Sequence, residues 1–234
     1  MQAHTGTPPV KDSNATLHLR HRPPLADNAP MTQRDDSQRF GEVVEASVDR
    51  LVAQCHRLYE APPLGSLVRT GDASTDGGTD PVYAVVAGVA TASLDPTRRV
   101  IARGADADSE AEIQRQHPQL ERLLRTDVTL SVVGHAQGSQ LHQYLPPSPP
   151  RIHTFVYTCG LEDVRRFTQD LDFVTLLAGT RDLTTDDVLA AALRLASVAY
   201  DQPRDFLVRA GRAVASLLSA DTARVSAVLR RLPL

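Results

Sequence analysis

The chain reads as α+β: a strand-rich amino-terminal part forming a small β-barrel or sandwich, then a helical carboxy-terminal unit, with a disordered tail in front. Three observations predict this. Between Phe40 and Gly134, short apolar runs alternate with polar residues and are rich in valine, as half-buried strands are. Beyond Leu161, the apolar spacing changes to three and four, the helical repeat. Before Gln38 the chain is rich in Pro, Asp, Thr, His and Asn and carries no apolar periodicity.

The expected divisions are a tail over residues 1–37, a strand-rich domain over 38–144, a proline-rich connector over 145–159 and a helical domain over 160–234. In the tail, Lys11, Arg20, Arg22 and Arg34 cancel Asp12, Asp27, Asp35 and Asp36. The net charge of −3 therefore belongs to the folded body.

Phe40-Gly-Glu-Val-Val-Glu-Ala-Ser47 and the run from Asp49 to Glu60 read as two short strands. Pro62 and Pro63 break the chain, Gly65 to Thr70 gives a third, and Val82 to Leu94 a long fourth. The turn formers from Asp72 to Asp80 make a hairpin tip between them. Asp95-Pro96 ends the long strand, and Val100 to Arg103 reads as one more short strand. Ser109-x-x-Glu112 is a capping box opening a helical stretch that Pro118 splits in two. Val128 to Gly134 is a strand expected to close a sheet begun by Val43 and Val44. Leu145-Pro-Pro-Ser-Pro-Pro150 is expected to run extended.

The helical part begins with 161–168 and 170–178, whose apolar positions are Val164, Phe167, Leu171, Val174 and Leu177. Thr184-x-x-Asp187 is a second capping box, followed by Leu189, Ala192, Leu193, Ala196 and Tyr200 on one face. Pro203 starts the next helix and Asp221 caps the last. Such stripes must pack on each other or on the sheet.

Composition excludes several activities. Of 25 basic residues only Lys11 is a lysine, and no Gly-Lys-Ser/Thr surrounds it, so phosphate-loop and Schiff-base chemistry are not expected. The acidic balance and 4% aromatic content speak against a protein that coats nucleic acid. Two cysteines, Cys55 and Cys159, do not make a disulfide framework. No apolar run suggests a signal peptide or membrane span, and the expected location is the cytoplasm.

The candidate chemical motifs read mostly as structure. Asp72-x-Ser74-x-Asp76-Gly77 imitates a calcium loop, but its twelfth position is Tyr83 rather than Glu, so a hairpin tip is expected and no metal. His135 in Gly-His-Ala-Gln-Gly-Ser139 lacks the order of a nucleophile elbow and reads as a turn residue bonded to backbone. His18 and His21 lie in the tail, Cys55 reads as a small buried hydrophobe, and Cys159 lies near a helix start. Asp186 and Asp187 read as helix capping, and Arg230 with Arg231 as partners of a helix dipole. Asp106 to Glu112 reads as an exposed helical run rather than a nuclease metal site. Arg98, Arg99 and Arg103 cluster after the long strand, where guanidinium forks can grip a partner carboxylate or a phosphate.

Four segments together resemble a known family: Phe40-Gly-Glu-Val-Val-Glu-Ala-Ser47, Pro62-Pro-Leu-Gly-Ser-Leu-Val68, Tyr83-Ala-Val-Val86 and Pro96-x-Arg-Arg-x-Ile-Ala-Arg-Gly104. With His117-Pro-Gln-Leu120 and Val133-Gly-His135, this stretch is similar to the HAS-barrel domain shared by HerA-type DNA translocases and rotary ATP synthases. The resemblance implies a barrel of about six strands with inserted helices, and an assembly element without the family's ATPase domain. It implies self-association, or partnership with a HerA-like ATPase or NurA-like nuclease, with nucleic acid met indirectly and no membrane. The expected function is a non-enzymatic interaction module without cofactor. The alternative is a small-barrel nucleic-acid-binding protein.

Overall fold

The computed structural model describes residues 37–71, 80–180 and 184–233. The calls on the amino-terminal tail, on His18 and His21, and on the loop residues Asp72 to Asp76 and Gly77 lie outside the described residues.

Seven strands follow in the order β1 (Arg39–Ala46), β2 (Arg50–Cys55), β3 (Leu67–Thr70), β4 (Val82–Ser93), β5 (Leu124–Gln137), β6 (Gln140–His142) and β7 (Phe155–Thr158). They pair antiparallel in the spatial order β2-β1-β7-β3-β4-β5-β6, and β2 also pairs with β5. The sheet thus closes into a ring, with β6 hung outside it from β5. Alternation along the strands decides which residues fill the ring. Val43, Leu51, Ala53, Val68, Val82, Ala84, Val86, Val128, Leu130 and Val156 form its buried interior, with Phe40 and Cys55. The valine enrichment fits this geometry, since β-branched side chains pack well on a pleated, curved surface.

The outward residues of β3, β4 and β5 make a second core. Leu67, Tyr83, Val85, Val133 and Ala136 meet helices α2 (Leu161–Phe167), α3 (Phe173–Gly179), α4 (Thr185–Ser197), α5 (Pro203–Leu217) and α6 (Thr222–Leu229). Helix α4 is buried almost all round, from Val188 through Leu193 to Ala196. A helix apolar on every side belongs at the centre of its layer, and α4 touches α3, α5, α6 and β4. Its Ala190, Ala191 and Ala192 let the sheet come close. At Gly65, whose φ is +86°, a Cβ would lie 2.5 Å from the Ala191 carbonyl carbon and from the Ala192 nitrogen.

Polar side chains tie the two layers. Gln143 donates from Nε2 to the carbonyls of Phe167 and Asp170 (2.5 and 3.1 Å) and accepts from the Phe173 N–H (2.8 Å), capping α3 from outside it. Buried Arg69 on β3 lies 3.5 Å from the Asp163 carboxylate on α2 and over the Tyr157 ring. Residues 35–234 cluster as one compact unit.

Several expectations are corrected. Val100 to Arg103 forms no strand, and no strand among the described residues pairs with it. The strand that holds Val128 to Gly134 does close the sheet that holds Val43 and Val44, by pairing with β2 and β4. Strand β7 arises inside the stretch expected as a connector and fills the gap between β1 and β3. His135 is a strand residue, opposite His142 in the β5–β6 pair. Ser109 does cap α1 (Glu110–Gln116), its Oγ accepting from the Glu112 N–H at 3.3 Å. Asp221 caps α6 in the same way at 3.0 Å. Thr184 makes no side-chain cap, since its φ of −95° and ψ of 0° are not the extended backbone that aims an N-cap side chain at the first turn.

Candidate functional site

The feature that stands out from this frame is the connection between β4 and β5. These strands run beyond the ring as a two-stranded arm, where Thr91, Ala92 and Ser93 face Thr126, Arg125 and Leu124. Residues 94–123 join them, and the Leu94 N–H donating to the Leu123 carbonyl at 2.8 Å closes the base. The insertion starts with a turn that its sequence dictates. Asp95 Oδ1 accepts from the Thr97 N–H (2.9 Å) and the Thr97 hydroxyl (2.6 Å), the local bonding that Asp before Pro favours. The hydroxyl first, and the N–H second, hold the Asp95 carboxyl below its ordinary pKa. Arg98 Nε lies 3.4 Å from Asp95 Oδ2.

After the irregular residues 100–108 come α1 and a short 3-10 helix, Pro118–Leu123, which Pro118 opens. The segments enclose a hollow of about 370 Å³. Leu94, Val100, Ile101, Leu120, Leu123 and Leu124 form its apolar lining, and Arg98, Arg99 and Arg103 stand at it. Four of the apolar side chains are large and open to solvent, from Leu94 and Leu123 at 50% to Val100 at 58% and Ile101 at 67%. The three arginines named from the sequence are therefore brought to one place. The apolar floor beneath them is not legible as such in the sequence, where Val100 and Ile101 have a strand's composition and Leu120 and Leu123 a helix stripe's spacing. The signal was present as apolar residues in a segment with no strand or helix face to share.

The other candidate residues are placed as follows. Cys55 points into the ring, where burial, and then the carboxylates of Asp127 and Glu60, push its thiol up to about 11. Such a thiol stays protonated and is a poor nucleophile at neutral pH. Cys159 gives its N–H to the Leu67 carbonyl and lines a hollow of about 230 Å³ between β3 and helices α2 and α4. Buried His135 lies with its Nδ1 3.3 Å from the Tyr144 carbonyl, and its ring, that of His142 and that of Tyr144 meet in a triangle. The expectation that helix capping explains Asp186 and Asp187 is corrected. Both stand in the first turn of α4 without capping it, and they pair with Arg224 and Arg231 of the α6 segment. The hydrogen bonds that Arg224 donates to Asp186 raise the pKa of Arg224. Arg230 and Arg231 also donate to the carbonyls of Ser226 and Ala227 at the end of α6.

Asp106, Asp108 and Glu110 are exposed. Among the described residues no three or more His, Cys, Asp or Glu side chains are grouped to hold a metal ion. No helix among them is long and apolar enough to cross a membrane. One further surface combines charge and an aromatic ring. Arg39 lies 4.5 Å over the Phe155 ring, which is 42% exposed, and the His56 ring meets it edge-on at 6.0 Å.

The chain matches no protein-family model, and no curated protein matches it. Chemically, the β4–β5 hollow offers an apolar floor for apolar side chains and a cationic rim for carboxylates.

Proposed function

We propose that this chain is a non-enzymatic interaction module, a HAS-like β-barrel carrying a helical layer on one face and a docking surface on its β4–β5 insertion. The observation that carries the reading is the group Leu94, Val100, Ile101 and Leu123, exposed side by side around one hollow with three arginines at its edge. Contiguous apolar surface rimmed by polar groups marks protein interaction sites, and arginine is enriched there because its fork holds carboxylates while its stem covers apolar area. The sequence resemblance adds the context: an adaptor in an ATPase–nuclease DNA-processing system, acting on its own copies, a HerA-like ATPase or a NurA-like nuclease.

A photo-crosslinking residue placed at Ile101 tests this in the native host, with the same residue at Arg204 on α5 as control. The expected result is a discrete protein adduct from position 101 and none from 204. Equal or absent labelling at both positions would refute the docking surface. A second reading, binding of single-stranded nucleic acid, is favoured by the Arg39–Phe155–His56 group, and salt-dependent binding of a single strand separates the two.

A further inference from the structure

The β4–β5 insertion carries both signs of charge in separate blocks. Residues 98–103 hold Arg98, Arg99 and Arg103, whereas 105–112 hold Asp106, Asp108, Glu110 and Glu112 with no basic residue. Among the described residues, no ion pair joins Arg99 or Arg103 to a carboxylate, and none engages Asp106, Asp108 or Glu110. Arg98 has only the exposed contact with Asp95. Glu112 is committed to its own helix start, accepting from the Asp108 N–H at 2.9 Å and from Gln116. Each block is thus left open in one copy, the arginines at the exposed apolar floor and the carboxylates in the exposed segment that follows them.

From this complementarity we propose that the occupant of the hollow is a second copy of the chain, docked about a two-fold axis. The arginine block of each copy faces the Asp106–Glu110 block of the other, and Val100 and Ile101 are buried between them. The inference rests on the interaction-module reading and names its partner. A two-fold interface is self-complementary, so one insertion carrying both signs can satisfy two sets of ion pairs at once. A foreign acidic segment would answer the arginines and leave the acidic block facing nothing. An interface of standard size takes about 20–30 residues a side, which is the scale of the 94–123 insertion. Ion pairs at the rim set register and are screened by salt, while the apolar floor is not.

Sedimentation velocity on the full chain tests this. The wild type is expected to dimerise in about 50 mM salt and to weaken roughly tenfold or more at about 500 mM. The variant Arg98→Glu/Arg99→Glu/Arg103→Glu and the variant Asp106→Arg/Asp108→Arg/Glu110→Arg are each expected to be monomeric, because every facing pair becomes like-charged. Mixed together they are expected to form a heterodimer, since each reversed block then faces an opposite one. All six positions are exposed, so thermal melts should match the wild type. A monomeric wild type at every concentration, wild-type dimerisation by either variant, or no heterodimer on mixing would overturn the proposal. A monomeric wild type that still gives a foreign adduct at Ile101 overturns this inference alone. No adduct of any kind overturns the interaction reading with it.

Discussion

Replacing Gly65 by alanine probes how the helical layer is seated on the ring. Two costs are separable. The first is backbone: at φ +86° an alanine Cβ crowds its own carbonyl, a strain of about 1–2 kcal/mol. The second is the seat itself. The new Cβ would sit 2.5 Å from main-chain atoms of Ala191 and Ala192 in a buried helix, and main chain cannot rotate away as a side-chain tip can. Overpacking of this kind costs about 1–3 kcal/mol. Relief by moving Gly65 is opposed by its N–H bond to the Val86 carbonyl (2.9 Å) and the return bond from Val86 to Ser66 (3.0 Å). The sum is a loss of about 2–5 kcal/mol. Gly138→Ala is the control, because its φ is +59° and nothing lies within 4 Å of the added carbon. It carries the backbone strain alone, about 1–2 kcal/mol. The entropy alanine removes from the unfolded chain is common to both and cancels in the comparison. Urea denaturation of the two variants measures the difference. If Gly65→Ala is no less stable than Gly138→Ala, the close approach of α4 to the ring is wrong.

Alkaline pH should weaken the fold through Cys55 and Tyr83. Burial raises Cys55 from 9.0 to about 11, and Tyr83 from 10.0 to about 12. Their protonated forms are favoured in the folded state, so stability is intact below pH 9.0 and falls as the pH rises towards about 12. Urea midpoints across that range should decline, and Tyr83→Phe should flatten the upper part; a flat wild-type profile would refute the burial of both groups. For the nucleic-acid reading, Phe155→Ala should weaken single-stranded DNA binding by about 1–3 kcal/mol if a base stacks on that ring. Fluorescence anisotropy at two salt concentrations measures it, and binding that is absent, or indifferent to Phe155, removes the reading.

Much of the chain's local structure was legible in its residues. Ser109 and Asp221 announced the starts of α1 and α6 because a cap is a bond within four residues, and the valine-rich run of β4 announced a long strand. Failures came where the deciding partner is distant. Phe155-Val-Tyr-Thr158 has a strand's composition, yet its proline-rich approach made it look like a connector, and its partners in β1 and β3 lie more than 80 residues away in sequence. Val100 to Arg103 has the same kind of composition and is no strand, since no partner strand among the described residues pairs with it. At the candidate site the arginines were legible as a cluster. The hollow was not, because it needs Leu120 and Leu123 folded back against Val100 and Ile101.

By itself, then, the sequence determined where β1 to β5 and the carboxy-terminal helices lie and which residues cap α1 and α6. Tertiary structure alone decided that the sheet closes through β2 and β5, that β7 completes it, and that Asp186 and Asp187 bond to α6 instead of capping α4. The physical reason is one of range. A period of 2 or 3.6 and a cap are set by neighbours along the chain, so a short window contains all that fixes them. Which strand edge or which arginine a residue meets depends on the burial of the whole, and no window holds that information.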